Sequence, residues 1–520
     1  MLKKFKRFGL IISILLMMSG CTSKQTVENS PIDLLADAIV LHTNDTHGYV
    51  KADDENGVIG FDTIAAIKER VGDKGLLLDA GDMSNGIPFA SKSKGQSPIE
   101  VMNAVGYDGA TLGNHEFDVD GNVDAILEAA DFPFMSANTR YKEDGSLLTH
   151  AHQIYTINGV NVGVFGLTTT ESALNPVSTR DLDFGNQESI IEDAQAQADA
   201  LSAQGCDIII VLSHLGVNEV EGGATSLDIA KALGDKVDVI IDAHTHTSPL
   251  ENKEVNGVPI VSAGGETDSN VGWITFTENS NDDYDVEVGF IDYNTAREMY
   301  TPVSSITSLI DELNGPVEAM ATKVVTHVDT HLDGEREMIR TQETNLGNTL
   351  ADAVLAFTDA DIAMLNSGGI RASIDVGDVT ELEIYTTFPY GDSVYVSKVL
   401  GSVILDALEI AVSNYPEAEG TFAQVAGLVF SFNPSQDIGN RVTSVTVNGE
   451  VLDTTKEYVL ATNDYWATGG DGYDLFIEPF KTPYDYDKPQ ESVYITDVFL
   501  WYLNQKEGVT SNVEGRIIIE

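Results

Sequence analysis

The chain has 520 residues and a formal net charge of −53, from 82 acidic against 29 basic residues. That length is too great for one ordinary hydrophobic core, and the 42% apolar content fits a soluble protein of two or three domains. So acidic a surface excludes a nucleic-acid polymer as a bulk electrostatic partner, although a metal or an arginine cluster can reverse the sign locally for a small anion.

At the N-terminus, Lys3, Lys4, Lys6 and Arg7 precede the apolar run FGLIISILLMMSGC, which is short for a bilayer span. The run closes on MSGC, which resembles the bacterial lipobox. The resemblance implies that residues 1–21 form a lipoprotein signal, cleaved before Cys21, with diacylglycerol on the Cys21 sulfur. It also implies an extracytoplasmic protein anchored to a membrane at the cell surface or on its periplasmic side, not spanning it. Met18 stands where lipoboxes usually carry Leu, and a plain secretory signal is the alternative. The polar stretch 22–35 reads as a tether. With Cys21 lipidated, Cys206 is left alone and no intramolecular disulfide is expected. Cys206 opens the apolar run CDIIIVL and reads as a buried thiol.

Over residues 36–300, short apolar runs alternate with helix-like stretches. Strands are expected at Ile39–Thr43, Leu76–Asp79, Val160–Leu167, Ile208–Leu212, Val239–Asp242 and Ile260–Ser262. Helices are expected at Phe61–Arg70, Pro98–Val105, Val123–Ala130 and Ile190–Ala203. The strand runs are near-continuous in Val, Ile and Leu, as for strands buried on both faces, and the alternation predicts a layered α/β domain. The pattern breaks at MYTPVS, and residues 301–326 read as a helical linker. From residue 327 to 520 the texture is that of a second, α+β domain, with helices at NTLADAVLAF and SVILDALEIAV.

Polar residues collect where the predicted strands of the first domain end. TNDTHG carries Asp45 and His47, DAGD carries Asp82, GNHEFD carries Asn114, SHLG carries His214, and DAHTH carries His244 and His246. Ligands of open α/β sheets bind at that edge. Carboxylates with imidazoles suit divalent transition metals such as Zn, Mn or Co. Seven donors are too many for one tetrahedral ion, and fit two ions sharing a bridging carboxylate. Ion pairs about 3.5–4 Å apart commonly hydrolyse phosphate esters by polarising the phosphoryl group and activating water.

These motifs resemble those of the 5′-nucleotidase and UDP-sugar hydrolase family of bacteria and animals. The resemblance runs on through the second half, in MIRTQETNLGNTLADA, LNSGGIR, TTFPYGD and NDYWATGGDGYD. It implies a four-layer αββα metallophosphoesterase domain joined by a helix to an α+β substrate-binding domain. It also implies that Asp45, His47, Asp82 and His246 hold one metal, and that Asp82 bridges to a second held by Asn114, His214 and His244. His115 and Asp118 are implied as a catalytic dyad, in which the carboxylate fixes the imidazole that serves the phosphoryl group. The simpler alternatives are that His115 is another ligand or that Asp118 caps the helix near Val123. Glu116 reads as a supporting or surface residue, and Asp79 as structural.

In the second half the resemblance points to Arg340 and Arg371, with Asn366, for the phosphate, since a guanidinium grips phosphate oxygens bidentately. It points to Tyr390 and Tyr465 as the two rings that clamp a base, and to Asp471 for ribose hydroxyls. The family usually has Phe at both ring positions, and ordinary core aromatics are the plain alternative. The implied substrate is a nucleotide and the implied enzyme a metal-dependent phosphoric monoester hydrolase acting as a 5′-nucleotidase. A 2′,3′-cyclic-nucleotide phosphodiesterase with 3′-nucleotidase activity, or a UDP-sugar hydrolase, is the near alternative. A nucleotide-capture lipoprotein without catalysis and a cell-surface adhesin are the distant ones.

Overall fold

Alternate residues of the first long strand face two different cores. In Ala38–Thr43, Ile39 and Leu41 pack with one apolar cluster while Ala38 and Val40 pack with another. Ile208–His214 does the same, with Ile208, Ile210 and Leu212 on one side and Ile209 and Val211 on the other. Period-two alternation with both faces buried explains why these runs read as continuous hydrophobic stretches. The architecture comes from a computed structural model, which describes residues 28–29, 32–54, 56–118, 122–174, 179, 181–218, 222–265, 269–281, 283–481, 493–506 and 511–520. Cys21 and most of the tether lie outside the described residues.

The shared cluster, with Val40, Leu78, Ile210, Leu212, Ile241 and Ile274, lies between two sheets. In the seven-stranded sheet, Ala38–Thr43, Gly75–Asp79, Gly109–Thr111 and Phe134–Met135 run parallel. In the six-stranded sheet, Val160–Thr168, Ile208–His214, Val239–Asp242 and Val258–Val261 run parallel. Helices Phe61–Val71, Gln96–Val105 and Asn122–Ala129 cover the outer face of the first sheet. Gln187–Gln204 and Ser226–Leu233 cover the second. The result is the expected helix–sheet–sheet–helix stack.

Elements extend beyond their expected ends where backbone groups find caps. The helix expected from Ile190 begins at Gln187, because the Asn186 side chain accepts from the N–H groups of Glu188 and Ser189. The linker helix runs over Ser304–Thr322 with Pro316 inside it. Its Ile306 and Ile310 are buried in the first domain's core, and it also packs on the helix Glu381–Thr387 of the second half.

The second half holds two four-stranded sheets. One orders Val394–Leu400, Glu457–Asn463, Ile362–Asn366 and Ala423–Ala426; the other contains Leu428–Phe432 beside the terminal strand Ile517–Ile519. The terminal strand is anchored by the buried Glu343 carboxylate, which accepts from the N–H groups of Glu514 and Arg516 at 2.7 Å each.

Candidate active site

Five strand ends deliver polar side chains to one edge of the paired sheets, and the loops that carry them are tied together by backbone hydrogen bonds. The Asp45 N–H donates to the Gly81 carbonyl at 2.9 Å, and the His47 N–H to the Asp82 carbonyl at 2.8 Å. The Asp82 carboxylate accepts from the His115 N–H at 2.9 Å, and Asp45 Oδ1 from the His244 N–H at 3.0 Å. Asp45, His47, Asp82, His244 and His246 all have positive φ, between 46° and 75°. Non-glycine residues avoid that region, and each held there costs about 1–3 kcal/mol. Such strain persists only where the surroundings over-determine the backbone, which marks these loops as built for their side chains.

The side chains fall into three overlapping groups whose donor atoms lie within 4.8 Å of one another: Asp45, His47 and His246; His47, Asp82 and His115; Asp82, His214 and His244. Asp82 joins the second and third, and His47 the first and second. The Nε2 atoms of His47 and His246 face each other at 3.3 Å. His214 Nδ1 lies 2.7 Å from the Ala80 carbonyl, which leaves Nε2 facing Asp82 at 3.0 Å. The buried Asn114 Oδ1 has no hydrogen-bond partner among the described residues. Burial alone lowers the His214 pKa, but the Asp82 and Asp45 carboxylates outweigh it and raise it to about 10. An orphaned buried acceptor, opposed imidazole nitrogens and an excess of buried carboxylates all fit divalent cations. Glycines make the room: a Cβ on Gly113 would stand 2.1 Å from Asp82 Oδ1, and one on Gly81 2.6 Å from His214 Nδ1.

His115 Nδ1 and Asp118 Oδ2 lie 2.5 Å apart, and Asn85 donates to the same Asp118 oxygen at 2.9 Å. The Asp118 carboxylate is thus directed at the His115 ring. The His115 ring stacks loosely on Tyr390 of the second half, with centroids 6.5 Å apart and planes 17° from parallel.

Between the two halves lies a cleft of about 440 Å³. Asn114, His115 and Asp118 line one side; Arg340, Asn366, Arg371, Tyr390, Tyr465 and Asp471 line the other. The guanidinium of Arg371 sits 5.3 Å from the centre of the Tyr390 ring. Burial, with Arg336 and Arg371 close by, lowers the pKa of Arg340, whose buried Nε has no partner among the described residues. Two clustered guanidiniums with an unmet donor form a receptor for a small anion. Tyr465 donates its hydroxyl to Asp471 at 3.0 Å, so the hydroxyl that departs from Phe has a structural task. Trp466 is fully buried, stacks on Tyr473 in the core and directs its indole N–H to Asp471 at 3.5 Å.

Several residues of the site, some of them inside the motifs, are given no ligand, catalytic or substrate role by the sequence. Glu116 is fully buried and accepts from the N–H groups of Asp82, Met83, Ser84 and Gly113 and from the Ser84 hydroxyl. It clamps the loop that holds Asp82. Asp79 accepts from the Thr43 hydroxyl and the Gly81 N–H, and burial pushes its pKa up to about 8. Glu171, Asp392, Glu419 and Asp464 also line the cleft. Burial, together with the Asp118 and Asp471 carboxylates, raises Asp392 to about 6 against a hydrogen bond from Asn463.

Residues 39–248 match the family description calcineurin-like phosphoesterase, and residues 324–478 match 5′-nucleotidase, C-terminal domain. The chain is 32% identical to the trifunctional nucleotide phosphoesterase protein YfkN of Bacillus subtilis over 86% of its own length, and spans about a third (33%) of that longer protein. It is 28% identical to a 5′-nucleotidase of Vibrio parahaemolyticus, over 89% of each chain. Among solved structures, a 5′-nucleotidase precursor from Thermus thermophilus superposes with a TM-score of 0.68 and 28% identity, covering 93% of this chain and 99% of that one. With the two domains matched in this order, and the likeness running through most of its length, the chain belongs to the 5′-nucleotidase family of hydrolases.

Proposed function

We propose that the protein is a 5′-nucleotidase that removes the phosphate from nucleoside monophosphates with two divalent cations. The observation that carries the reading is the single cleft lined by His115 and Asp118 from the first half and by Arg340, Arg371 and the two tyrosines from the second. Asp45, His47, Asp82 and His246 would hold one cation, and Asp82, Asn114, His214 and His244 the other; the donor set suits Zn, Mn or Co. Bound there, the cations supply Lewis acidity toward a phosphate ester. Arg340 and Arg371 grip the phosphate oxygens, with Asn366 beside them. Tyr390 and Tyr465 offer flat faces to the base, and Asp471 accepts from ribose hydroxyls. His115, with Nδ1 fixed by Asp118, presents Nε2 to the phosphoryl group to stabilise charge or hold a proton there.

The reading includes domain limits of 36–300, 301–326 and 327–520, and a lipid anchor at Cys21 that keeps the enzyme outside the cytoplasm. The anchor rests on the MSGC run alone. A wider specificity is the second reading: the Bacillus relative's name calls it trifunctional, and cyclic 2′,3′-nucleotides, 3′-nucleotides or UDP-sugars are the natural candidates. Initial rates on AMP, 3′-AMP, cyclic 2′,3′-AMP and UDP-glucose separate these. AMP is expected to be turned over fastest. A strong chelator should abolish the activity and Mn²⁺ or Zn²⁺ restore it; a rate indifferent to the chelator sinks the two-metal reading.

A further inference from the structure

We propose that Glu171 is a positioning residue, which holds the His244 imidazole so that its other nitrogen serves a metal. The inference rests on the two-metal reading above and deepens it.

Three of the imidazoles expected as ligands have a partner for the nitrogen that points away from the cluster. His214 directs Nδ1 to the Ala80 carbonyl at 2.7 Å, and His47 directs Nδ1 to the Asn85 carbonyl at 3.0 Å. In both, Nε2 is left to face the cluster. His244 is turned the other way, because its Nε2 contacts the Glu171 carboxylate. Nδ1 is then the nitrogen it contributes to the group formed with Asp82 and His214. Of these three partners, only Glu171 is charged.

Tertiary structure brings Glu171 there. It sits on the short helix Thr170–Leu174, which directly follows the strand Val160–Thr168. Thr168 is paired with His214 on the neighbouring strand, so Glu171 emerges beside that ligand's strand end. The pair is only partly open to solvent, with side chains 15% exposed for His244 and 38% for Glu171. The same glutamate also lines the cleft between the two halves.

The chemistry follows from the partition of the ring nitrogens. A neutral imidazole has one N–H and one lone pair. Holding the N–H on Nε2 leaves the lone pair on Nδ1, fixes the ring's rotation, and makes the ligand more basic because the acceptor is an anion. Glu171 acts through His244 and is itself in none of the three donor groups found among the described residues.

The test compares the full-length chain with Glu171→Ala and Glu171→Gln, each stripped of metal and titrated with Zn²⁺ and with Mn²⁺ against a chromophoric chelator. The wild type is expected to take up two equivalents. The Ala variant should keep one with unchanged affinity and bind the other about 10–100-fold more weakly. The Gln variant, which retains an acceptor oxygen without the charge, should fall between them. Melting temperatures of the metal-free proteins should agree, while the rise on adding metal should be smaller in both variants. Two unweakened equivalents in the Ala variant overturn the inference alone. So does a metal-free Ala variant whose melting temperature has dropped as far as that of its metal-loaded form, which is the mark of a merely structural role. A wild type that takes up no divalent cation overturns the two-metal reading and this inference with it.

Discussion

His115→Ala is expected to lower kcat on AMP by about 10²–10⁴-fold, the usual worth of a positioned proton-transfer or charge-stabilising group. Metal content should stay at the wild-type level. His115 belongs to one group of donor atoms with His47 and Asp82, so a role as a further ligand predicts a different result. Removal of a ligand lowers occupancy, and excess metal then recovers part of the rate. Elemental analysis beside steady-state kinetics separates the two. Loss of one metal equivalent in the Ala variant, with recovery at high Mn²⁺, overturns the dyad. Asp118 holds Nδ1 at 2.5 Å and is itself fixed by Asn85, which aims the imidazole. Because a carboxylate can orient a metal-bound imidazole equally well, the metal content of the Ala variant decides between the two roles.

Glu116→Ala is the substitution with the largest expected effect on stability. It leaves four buried backbone N–H groups and the Ser84 hydroxyl without their acceptor. Each orphaned buried donor costs about 1–3 kcal/mol, against a total stability of about 5–15 kcal/mol for a typical protein. A loss above about 4 kcal/mol is therefore expected even after local relaxation. Glu116→Gln keeps one acceptor oxygen but turns an NH₂ group toward N–H donors, and should fall between Ala and wild type. Urea unfolding of metal-free protein measures this. A loss below about 1 kcal/mol in the Ala variant shows that the clamp is replaceable and removes the argument.

Glu116 also shows where sequence reading stops. The gathering of the candidate ligands was legible because each lies at or shortly past a strand end, and strand ends in an α/β sheet converge on one edge. The linker helix was legible from its own periodicity. Nothing in GNHEFD distinguishes the glutamate that is fully buried from an exposed one, because all its donors but Gly113 lie more than thirty residues away on the Asp82 loop. Glu171 was hidden for the same reason: it is one glutamate in TTTES, and only the pairing of Val160–Thr168 with Ile208–His214 brings it to His244. The left-handed backbone at the ligand loops was illegible too. Asp45, His47, Asp82, His244 and His246 are not glycines, so no residue type announces the positive φ. In the second half, the departure from Phe to Tyr at position 465 was visible as a change without a meaning, until the hydroxyl was found on Asp471.

The walls of the cleft carry the carboxylates Asp118, Glu171, Asp392, Glu419, Asp464 and Asp471 against the guanidiniums of Arg340 and Arg371. This bears on the kinetics of encounter. A nucleotide approaching from solution first meets the field of a protein of net charge −53, which repels it, and only inside meets the arginines. At about 0.01 M ionic strength the field reaches about 30 Å, and at about 0.15 M only about 8 Å. Added salt is thus expected to raise kcat/KM for anionic substrates in the low-salt range, the reverse of an enzyme that steers its substrate by attraction. The same repulsion speeds the departure of inorganic phosphate, so the protein trades capture rate for product release.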